Sequence, residues 1–260
     1  MLVDRAATAV SVSVAIVGGT CAFGKTTLFR DLDLTLAAGS WTCLLGPSGI
    51  GKTSLIRLIL ESTRIRGQAR AIGTGVVACD DGHPLRGRVA YMAQRDLLLP
   101  WLTVRDNVLL GRRLRREAID APARGRADAL IEAVGMQDAA GLRPDALSGG
   151  MRQRAALART LFEDRPVVLM DEPFSAVDAI TRVRLQDLAA TLLRGRTVLL
   201  VTHDPLEALR LGHRIFVMAG RPARLGEPLH APGHPPRPVD DPGVLALQGE
   251  LLRRLAAAHS

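Results

Sequence analysis

The chain reads Gly46-Pro47-Ser48-Gly49-Ile50-Gly51-Lys52-Thr53 between a short apolar run and a helical pattern. The apolar run, residues 41–45, predicts a strand, and apolar residues at helical spacing in 54–61 predict a helix. Glycines let a backbone approach a bound group closely, and the N–H groups that open a helix attract phosphate oxygens. The order of strand, glycine loop and helix therefore predicts a phosphate loop at residues 46–53.

The same spacing, Gly-x4-Gly-Lys-[Ser/Thr], occurs a second time at residues 19–26. The residues that follow, 28–34, alternate between apolar and polar as a strand does. A phosphate loop needs the start of a helix after it. We therefore predict that residues 19–26 form a hairpin loop that matches the pattern by chance.

A further apolar strand, residues 167–170, ends in the acids Asp171 and Glu172. In open α/β sheets, ligands bind at the carboxyl ends of parallel strands. Asp171 is predicted to hold Mg²⁺ through water, and Glu172 to polarise the water that attacks a γ-phosphate. A solvated acidic pair at a strand end is the plainer interpretation, but the matching phosphate loop upstream favours a site.

The rest of the chain alternates between strand and helix patterns, which predicts an α/β fold with a buried parallel sheet. Further strands are predicted at residues 10–17, 28–36, 89–92, 197–201 and 215–218. Residues 65–88 are rich in glycine with short strand signals, and residues 103–159 are helical, broken by Gly111, Pro122, Gly135 and Pro144. We predict a surface loop at residues 228–242 and an amphipathic helix at 243–258.

Composition limits the classes of function. The chain has 260 residues and a net charge of +8, carried almost wholly by arginine. Its arginines are scattered and aromatic residues are only 3%, so we expect no nucleic-acid partner, although a basic chain is compatible with one. No apolar run reaches the ~20 residues of a membrane span, and we expect no secretory signal. Three cysteines without metal spacing suggest a reducing compartment.

The run Leu147-Ser148-Gly149-Gly150-Met151-Arg152-Gln153-Arg154 resembles the signature sequence of ABC-type ATPases, and the resemblance covers about residues 10–220. It implies an α/β P-loop NTPase fold: a RecA-like core with an N-terminal antiparallel β subdomain, plus an inserted helical signature subdomain. Residues 1–260 would form one ABC ATPase domain. Within it, 1–92 and 162–220 would be the nucleotide-binding core, 93–161 the helical subdomain and 221–260 a C-terminal extension.

The resemblance also implies roles for single residues. Residues with catalytic roles would be Lys52, Gln94, Glu172 and His203. Residues in contact with ATP would be Gly46, Pro47, Ser48, Gly49, Ile50, Gly51, Lys52, Thr53, Ser54, Phe23, Ser148, Gly149, Gly150, Gln153 and Asp178. Mg²⁺ would be held by Thr53, Gln94 and Asp171. Phe23 would stack on adenine, although Phe29 is nearby, and Ser148 to Gly150 would grip the ATP of a second subunit in a homodimer that Asp178 helps to form.

Two segments, residues 97–108 and 204–209, look like the importer branch that serves nitrate, sulfonate, taurine and thiamine-precursor pyrimidines. This implies two membrane permease subunits, an extracytoplasmic solute-binding protein, and a peripheral position on the cytoplasmic face of the bacterial inner membrane. Leu99, Pro100 and Trp101 would form an apolar tip for the permease, but core packing is an equally open interpretation for Trp101. The alternative function is a soluble ABC ATPase that is not coupled to transport.

Overall fold

The structure is a computed structural model that describes residues 11–24, 26–63 and 73–259. Val10, Lys25 and residues 65–72 of the glycine-rich segment lie outside this range. The chain divides into two compact units. The sheet unit comprises the described residues of Ala9–Val89 with Arg165–Asp171 and Gly195–Ser260; the helical unit comprises Ala90–Asp164 and Glu172–Arg194. Residues 172–194 thus group with the helical segment, whereas the functional division at 93–161 stays a prediction.

An antiparallel sheet of three strands opens the sheet unit. Its order is β2 (Thr26–Leu36), β1 (Val14–Phe23) and β4 (Gly73–Cys79). β1 pairs with β2 up to Phe23 opposite Thr26, so the first copy of the phosphate-loop pattern is a hairpin, as predicted. This sheet is the antiparallel β subdomain that the sequence predicts.

The second sheet of this unit is mainly parallel and buried. β6 (Val167–Asp171), β7 (Thr197–Val201), β3 (Trp41–Leu45) and β8 (Arg214–Ala219) lie side by side in that order, and β9 (Arg224–Leu225) pairs antiparallel with β8. Every residue of β3, β6 and β7 is buried, as expected for parallel strands covered on both faces. Helices α1 (Lys52–Glu61), α7 (Pro205–Leu211) and α8 (Pro242–His259) belong to the same unit.

The helical unit contains α2 (Val104–Val108), α3 (Leu110–Leu114), α4 (Ala121–Ala133), α5 (Gly149–Phe162) and α6 (Ala179–Leu192). The short strand β5 (Val89–Met92) leads into it. One of the predicted helix breaks is wrong, because Gly111 lies inside α3. Pro122 does mark a break: residues 115–120 are not helical, and Pro122 lies in the first turn of α4, where its missing N–H would have no helical partner in any case. In the described part of the chain, no helix is both long and apolar enough to cross a bilayer.

The proline-rich segment 228–242 is mainly a loop and most of it is exposed, as predicted, but Leu229, Ala231 and Arg237 are buried. Arg237 is buried, and its guanidinium donates to the carbonyl oxygens of Leu209 (2.9 Å), Gly212 (2.9 Å) and Ala231 (2.8 Å). The Arg237 N–H also donates to the carbonyl of Arg210 at 3.0 Å. Hydrogen bonds from one buried cation therefore fix this loop to helix α7.

We predict that Arg237→Met lowers the free energy of unfolding by about 3 kcal/mol, because several buried carbonyl groups lose a charged donor. The matched control is Arg253→Met on the exposed face of α8, which should stay within about 0.5 kcal/mol of the parent chain. Chemical denaturation followed by circular dichroism measures both variants. Equal stabilities for the two variants would contradict the role given to Arg237.

Candidate functional site: a phosphate loop and two carboxylates

The phosphate loop, residues 46–53, has a backbone that glycine alone fits at two points. Gly46 has φ 146°, and a Cβ there would lie 2.5 Å from the carbonyl oxygen of Met218. Gly51 has φ 117°, and its Cβ would lie 3.2 Å from the ring of Phe29. Gly51 precedes α1 as its N-cap and has no side chain to cap the helix. The loop therefore presents backbone N–H groups and the positive end of a helix, which suits a phosphate.

Lys52 is held against this loop. Its side chain is only 8% exposed, and Nζ donates to the carbonyl oxygens of Gly46 (2.7 Å) and Pro47 (2.9 Å). These bonds fix the ammonium at the mouth of the loop, beside the N–H groups of the same turn. A cation and several N–H donors thus converge on one small space, which is an arrangement for binding an anion.

The parallel pairing brings three parts of the predicted site, the phosphate loop, Asp171 and His203, to one edge of the sheet. Val201 of β7 is level with Leu44 of β3 on one side and with Asp171 of β6 on the other. The phosphate loop starts two residues after Leu44, and the exposed His203 follows Val201 by two residues. The carboxyl ends of β3, β6 and β7 therefore share this edge, where ligands bind in α/β sheets.

Asp171 and Thr53 meet at that edge. Thr53 Oγ1 donates to Asp171 Oδ2 at 2.7 Å, and Asp171 is only 1% exposed. A hydroxyl and a carboxylate are both hard oxygen ligands, which Mg²⁺ prefers, so this pair fits the predicted ion. Ser54, which is predicted to contact ATP, has a partner within the protein: its hydroxyl forms a hydrogen bond with the thiol of Cys21 on β1.

Of the two aromatic candidates for stacking, the structure exposes one. Phe23, at the end of β1, is 75% exposed, whereas Phe29 is fully buried beneath Gly51. Only an exposed ring can offer its face to a ligand. This favours Phe23 over Phe29, while the contact with adenine itself stays a prediction.

In the helical unit, Glu172 occupies a strained turn and is paired with Gln94. Glu172 has φ 51°, a left-handed conformation that side chains rarely adopt and that often marks a functional site. Gln94 Nε2 donates to Glu172 Oε2 at 3.2 Å. Two of the predicted catalytic residues are thus in contact, and the amide of Gln94 holds one oxygen of the carboxylate.

The signature residues open helix α5. Ser148 is its N-cap and accepts a hydrogen bond from the Met151 N–H at 3.3 Å. Ser148 and Gly149 are exposed at this helix start, so its positive end faces outward. Asp178 plays a similar capping part for α6, where Oδ1 accepts from the Thr181 N–H at 3.0 Å, and hydrogen bonds from Thr181 lower the pKa of this carboxyl.

Helix α5 also makes hydrogen bonds to the loop that follows Gln94. The sequence did not predict these contacts. Arg152 Nε donates to Asp96 Oδ2 at 3.1 Å, and Arg159 Nη1 donates to the Leu97 carbonyl at 2.8 Å. Burial lowers the pKa of Arg159. A cleft of about 400 Å³ in this unit is lined by Gln94, Asp96, Gly149, Arg152, Gln153 and Ala176. Neither arginine contact can be predicted from the sequence, because each arginine lies more than fifty residues from its partner.

A buried asparagine shapes the apolar tip of the same loop. Asn107 is fully buried, and its amide bonds both the N–H of Leu99 (2.8 Å) and the carbonyl groups of Leu99, Leu102 and Thr103. Trp101, within this tip, is 66% exposed. The interpretation of Trp101 as a core residue is therefore wrong: the tip presents its indole outward on a backbone fixed from inside.

Comparisons with known proteins agree with this geometry. Residues 29–175 match the profile of the ABC transporter family. The chain belongs to the ABC transporter family, in which it is an ATP-binding and ATP-hydrolysing cassette. The structure has the fold of such cassettes: a solved ATP-binding cassette, dimeric and in a post-hydrolysis state with ADP and Pi, aligns with a TM-score of 0.73 at 26% identity, covering 85% of this chain and 99% of that one.

Curated relatives cover nearly the whole chain. An uncharacterized ABC transporter ATP-binding protein of Haemophilus influenzae is 41% identical over 238 residues, which is 90% of this chain and 95% of the relative. The aliphatic sulfonates import ATP-binding protein SsuB 1 of Pseudomonas savastanoi pv. phaseolicola is 41% identical over 92% of this chain and 94% of its own length. The aliphatic sulfonates import ATP-binding protein SsuB of Delftia acidovorans is 44% identical over 86% of each chain.

We predict that Gly46→Ala lowers the free energy of unfolding by about 2 kcal/mol and abolishes ATP binding, because the added methyl group forces the loop away from Met218. Gly125→Ala in α4 is the matched control, since no described atom lies within 4 Å of its Cβ position. That variant should be neutral or more stable by up to about 1 kcal/mol. Denaturation and fluorescent-nucleotide titration test both; normal ATP affinity in Gly46→Ala would refute this reading of the loop.

Proposed function

We propose that this chain is the ATP-hydrolysing subunit of a bacterial importer for a small solute, with an aliphatic sulfonate as the leading cargo. The ATPase activity is inferred above all from the hydrogen bond between Thr53 and Asp171, beside a phosphate loop whose carbonyl oxygens bind Lys52. The names of the relatives from Pseudomonas and Delftia support the class of cargo. Taurine, nitrate and thiamine-precursor pyrimidines remain the other candidates.

The sheet unit would bind the nucleotide. N–H groups of residues 46–53 and the start of α1 would hold the phosphates, and Lys52 would neutralise them. Thr53 and Asp171 would hold Mg²⁺, which when bound offsets the charge that develops on the phosphate oxygens. His203, at the same sheet edge, would contact the γ-phosphate. The exposed ring of Phe23 would stack on adenine.

The helical unit would supply the base. Glu172 would accept a proton from the attacking water, and the amide of Gln94 would hold the carboxylate while this occurs. Gln94 would also report whether Mg²⁺ and the γ-phosphate are present. Gln94 is at the start of the loop that carries the apolar tip. Movement of that loop would therefore displace Glu172 through the hydrogen bond between Gln94 and Glu172.

Two copies of the chain would form the working ATPase. The exposed start of α5, with Ser148, Gly149 and Gly150, would bind the ATP held by the other copy. The loop that ends at Asp178 would lie in the contact between copies. Solved cassettes with this fold are dimeric, which supports the arrangement. One chain by itself would then bind ATP well and hydrolyse it slowly.

The apolar tip, Leu99, Pro100 and Trp101, would bind the permease. Trp101 is 66% exposed, Leu97 just before the tip is 59% exposed, and Asn107 fixes the backbone between them. An apolar surface on a fixed backbone suits a groove on a partner, because the loop loses little backbone entropy on binding. We place the subunit on the cytoplasmic face of the inner membrane, bound to two permease subunits and served by a solute-binding protein.

We expect Glu172→Gln to abolish steady-state ATP hydrolysis, with a loss of roughly 1,000-fold, because the amide cannot accept the proton of water. ATP should still bind, and an ATP-bound dimer should accumulate. A phosphate-release assay and size-exclusion chromatography with ATP measure the two effects. Asp187→Asn, on α6 in the same unit, is the control. Hydrolysis that survives in Glu172→Gln would remove Glu172 from its assigned role.

We expect Trp101→Ser to weaken recruitment of the subunit to permease-bearing membrane vesicles by about tenfold, because a buried aromatic anchor contributes more than 1 kcal/mol to an interface. Leu114→Ser, which changes an exposed apolar residue on α3, is the matched control and should bind normally. Vesicle sedimentation with purified subunit gives the affinities. Salt-sensitive binding to nucleic acid without any binding to vesicles would support the soluble ABC ATPase instead.

A further inference from the structure

We infer that Gln153 is a positioning residue that sets the orientation of Glu172 from the start of helix α5. The inference rests on the proposed function, because it takes Glu172 as the base. Gln153 is 7% exposed, and its side-chain amide is bonded to the turn formed by residues 172–176. These contacts give Gln153 a different task from the nucleotide contact that the sequence predicts.

The amide of Gln153 makes three hydrogen bonds to this turn. Nε2 donates to the Glu172 carbonyl oxygen at 3.0 Å and to Ser175 Oγ at 3.2 Å. Oε1 accepts from the Ala176 N–H at 2.7 Å. The two ends of the amide face partners of opposite type, so reversing the amide would set oxygen against oxygen and N–H against N–H. The arrangement therefore requires an amide and not merely a polar side chain.

The turn needs such a clamp because its backbone is strained. A residue other than glycine in the left-handed region costs on the order of 1–3 kcal/mol, and the surrounding contacts must offset that cost. The Glu172 carbonyl receives the Gln153 amide, the Ser175 hydroxyl at 3.1 Å and the Ser175 N–H at 3.4 Å. Since this carbonyl and the Glu172 side chain share one Cα, fixing the peptide group fixes the direction in which the carboxylate leaves the backbone.

Gln153 also connects this turn to the signature residues. It follows Ser148 by five positions, near the start of α5. Gly150 lies against the same turn, because a Cβ at Gly150 would come within 3.0 Å of the Ala176 carbonyl oxygen. A displacement of the start of α5 would therefore move the Glu172 turn with it. The helix end that would bind the partner's ATP is thus tied to the base that would act on the chain's own ATP.

Gln153→Glu tests the inference with almost no change of shape. The carboxylate keeps an acceptor for the Ala176 N–H but loses the donor to the Glu172 carbonyl. We expect kcat to fall roughly 100-fold, the effect of misplacing a catalytic group by about 1 Å, with the KM for ATP changed less than about twofold. Gln153→Met, which removes both the donor and the acceptor of the amide, should likewise lower kcat and leave the KM for ATP nearly unchanged. Gln186→Glu, a second buried glutamine in this unit, is the control.

A double-mutant cycle separates positioning from general damage. In a Glu172→Gln background the base is absent, so adding Gln153→Glu should change the single-turnover rate by less than about twofold. An equal loss in both backgrounds, a change in KM alone, or normal kcat in both Gln153 variants would overturn the inference. Failure of the proposed function appears separately, as a parent chain that hydrolyses no ATP or a Glu172→Gln variant that keeps full activity.

Discussion

The parallel register of β6, β7 and β3 is the constraint on which the nucleotide site of the sheet unit depends. It sets Asp171, Val201 and Leu44 level with one another, so the three segments that follow leave the sheet at one edge. A shift of one residue between β6 and β7 would turn Asp171 to the other face and separate it from Thr53. The continuous burial of these strands resists such a shift, because every residue of each strand packs against a neighbour.

In the helical unit, a single helix, α5, fixes both a strained turn and an exposed loop. Helix α5 does this with three side chains: Gln153 bonds the Glu172 turn, while Arg152 and Arg159 bond residues 96 and 97. Hydrogen bonds fix direction as well as distance, whereas apolar packing fixes mainly distance. Polar clamps are therefore suited to a turn whose side chain must point one way.

The sequence predicted the central strands to within a residue because their apolar runs are continuous and short. It also told the true phosphate loop from its copy, since the residues after Thr53 have a helical period and those after Thr26 do not. The sequence did not predict contacts between side chains and partners that are distant along the chain. Nothing near Arg237 shows that its partners are carbonyls around residue 210, and nothing near Gln153 points to residues 172–176. Local periodicity carries no information about such pairs.

The contacts of Glu172 bear on how binding at either neighbouring segment would affect its carboxylate. Glu172 takes its backbone support from Gln153 and its carboxylate support from Gln94, and both supports belong to segments that would meet other molecules: the partner's ATP at the start of α5, and the permease at the tip after Gln94. Both supports are formed in the single chain, so displacement of either segment on binding would act directly on the position of the Glu172 carboxylate. Because the backbone of Glu172 is strained, the turn would favour other conformations if either support were withdrawn.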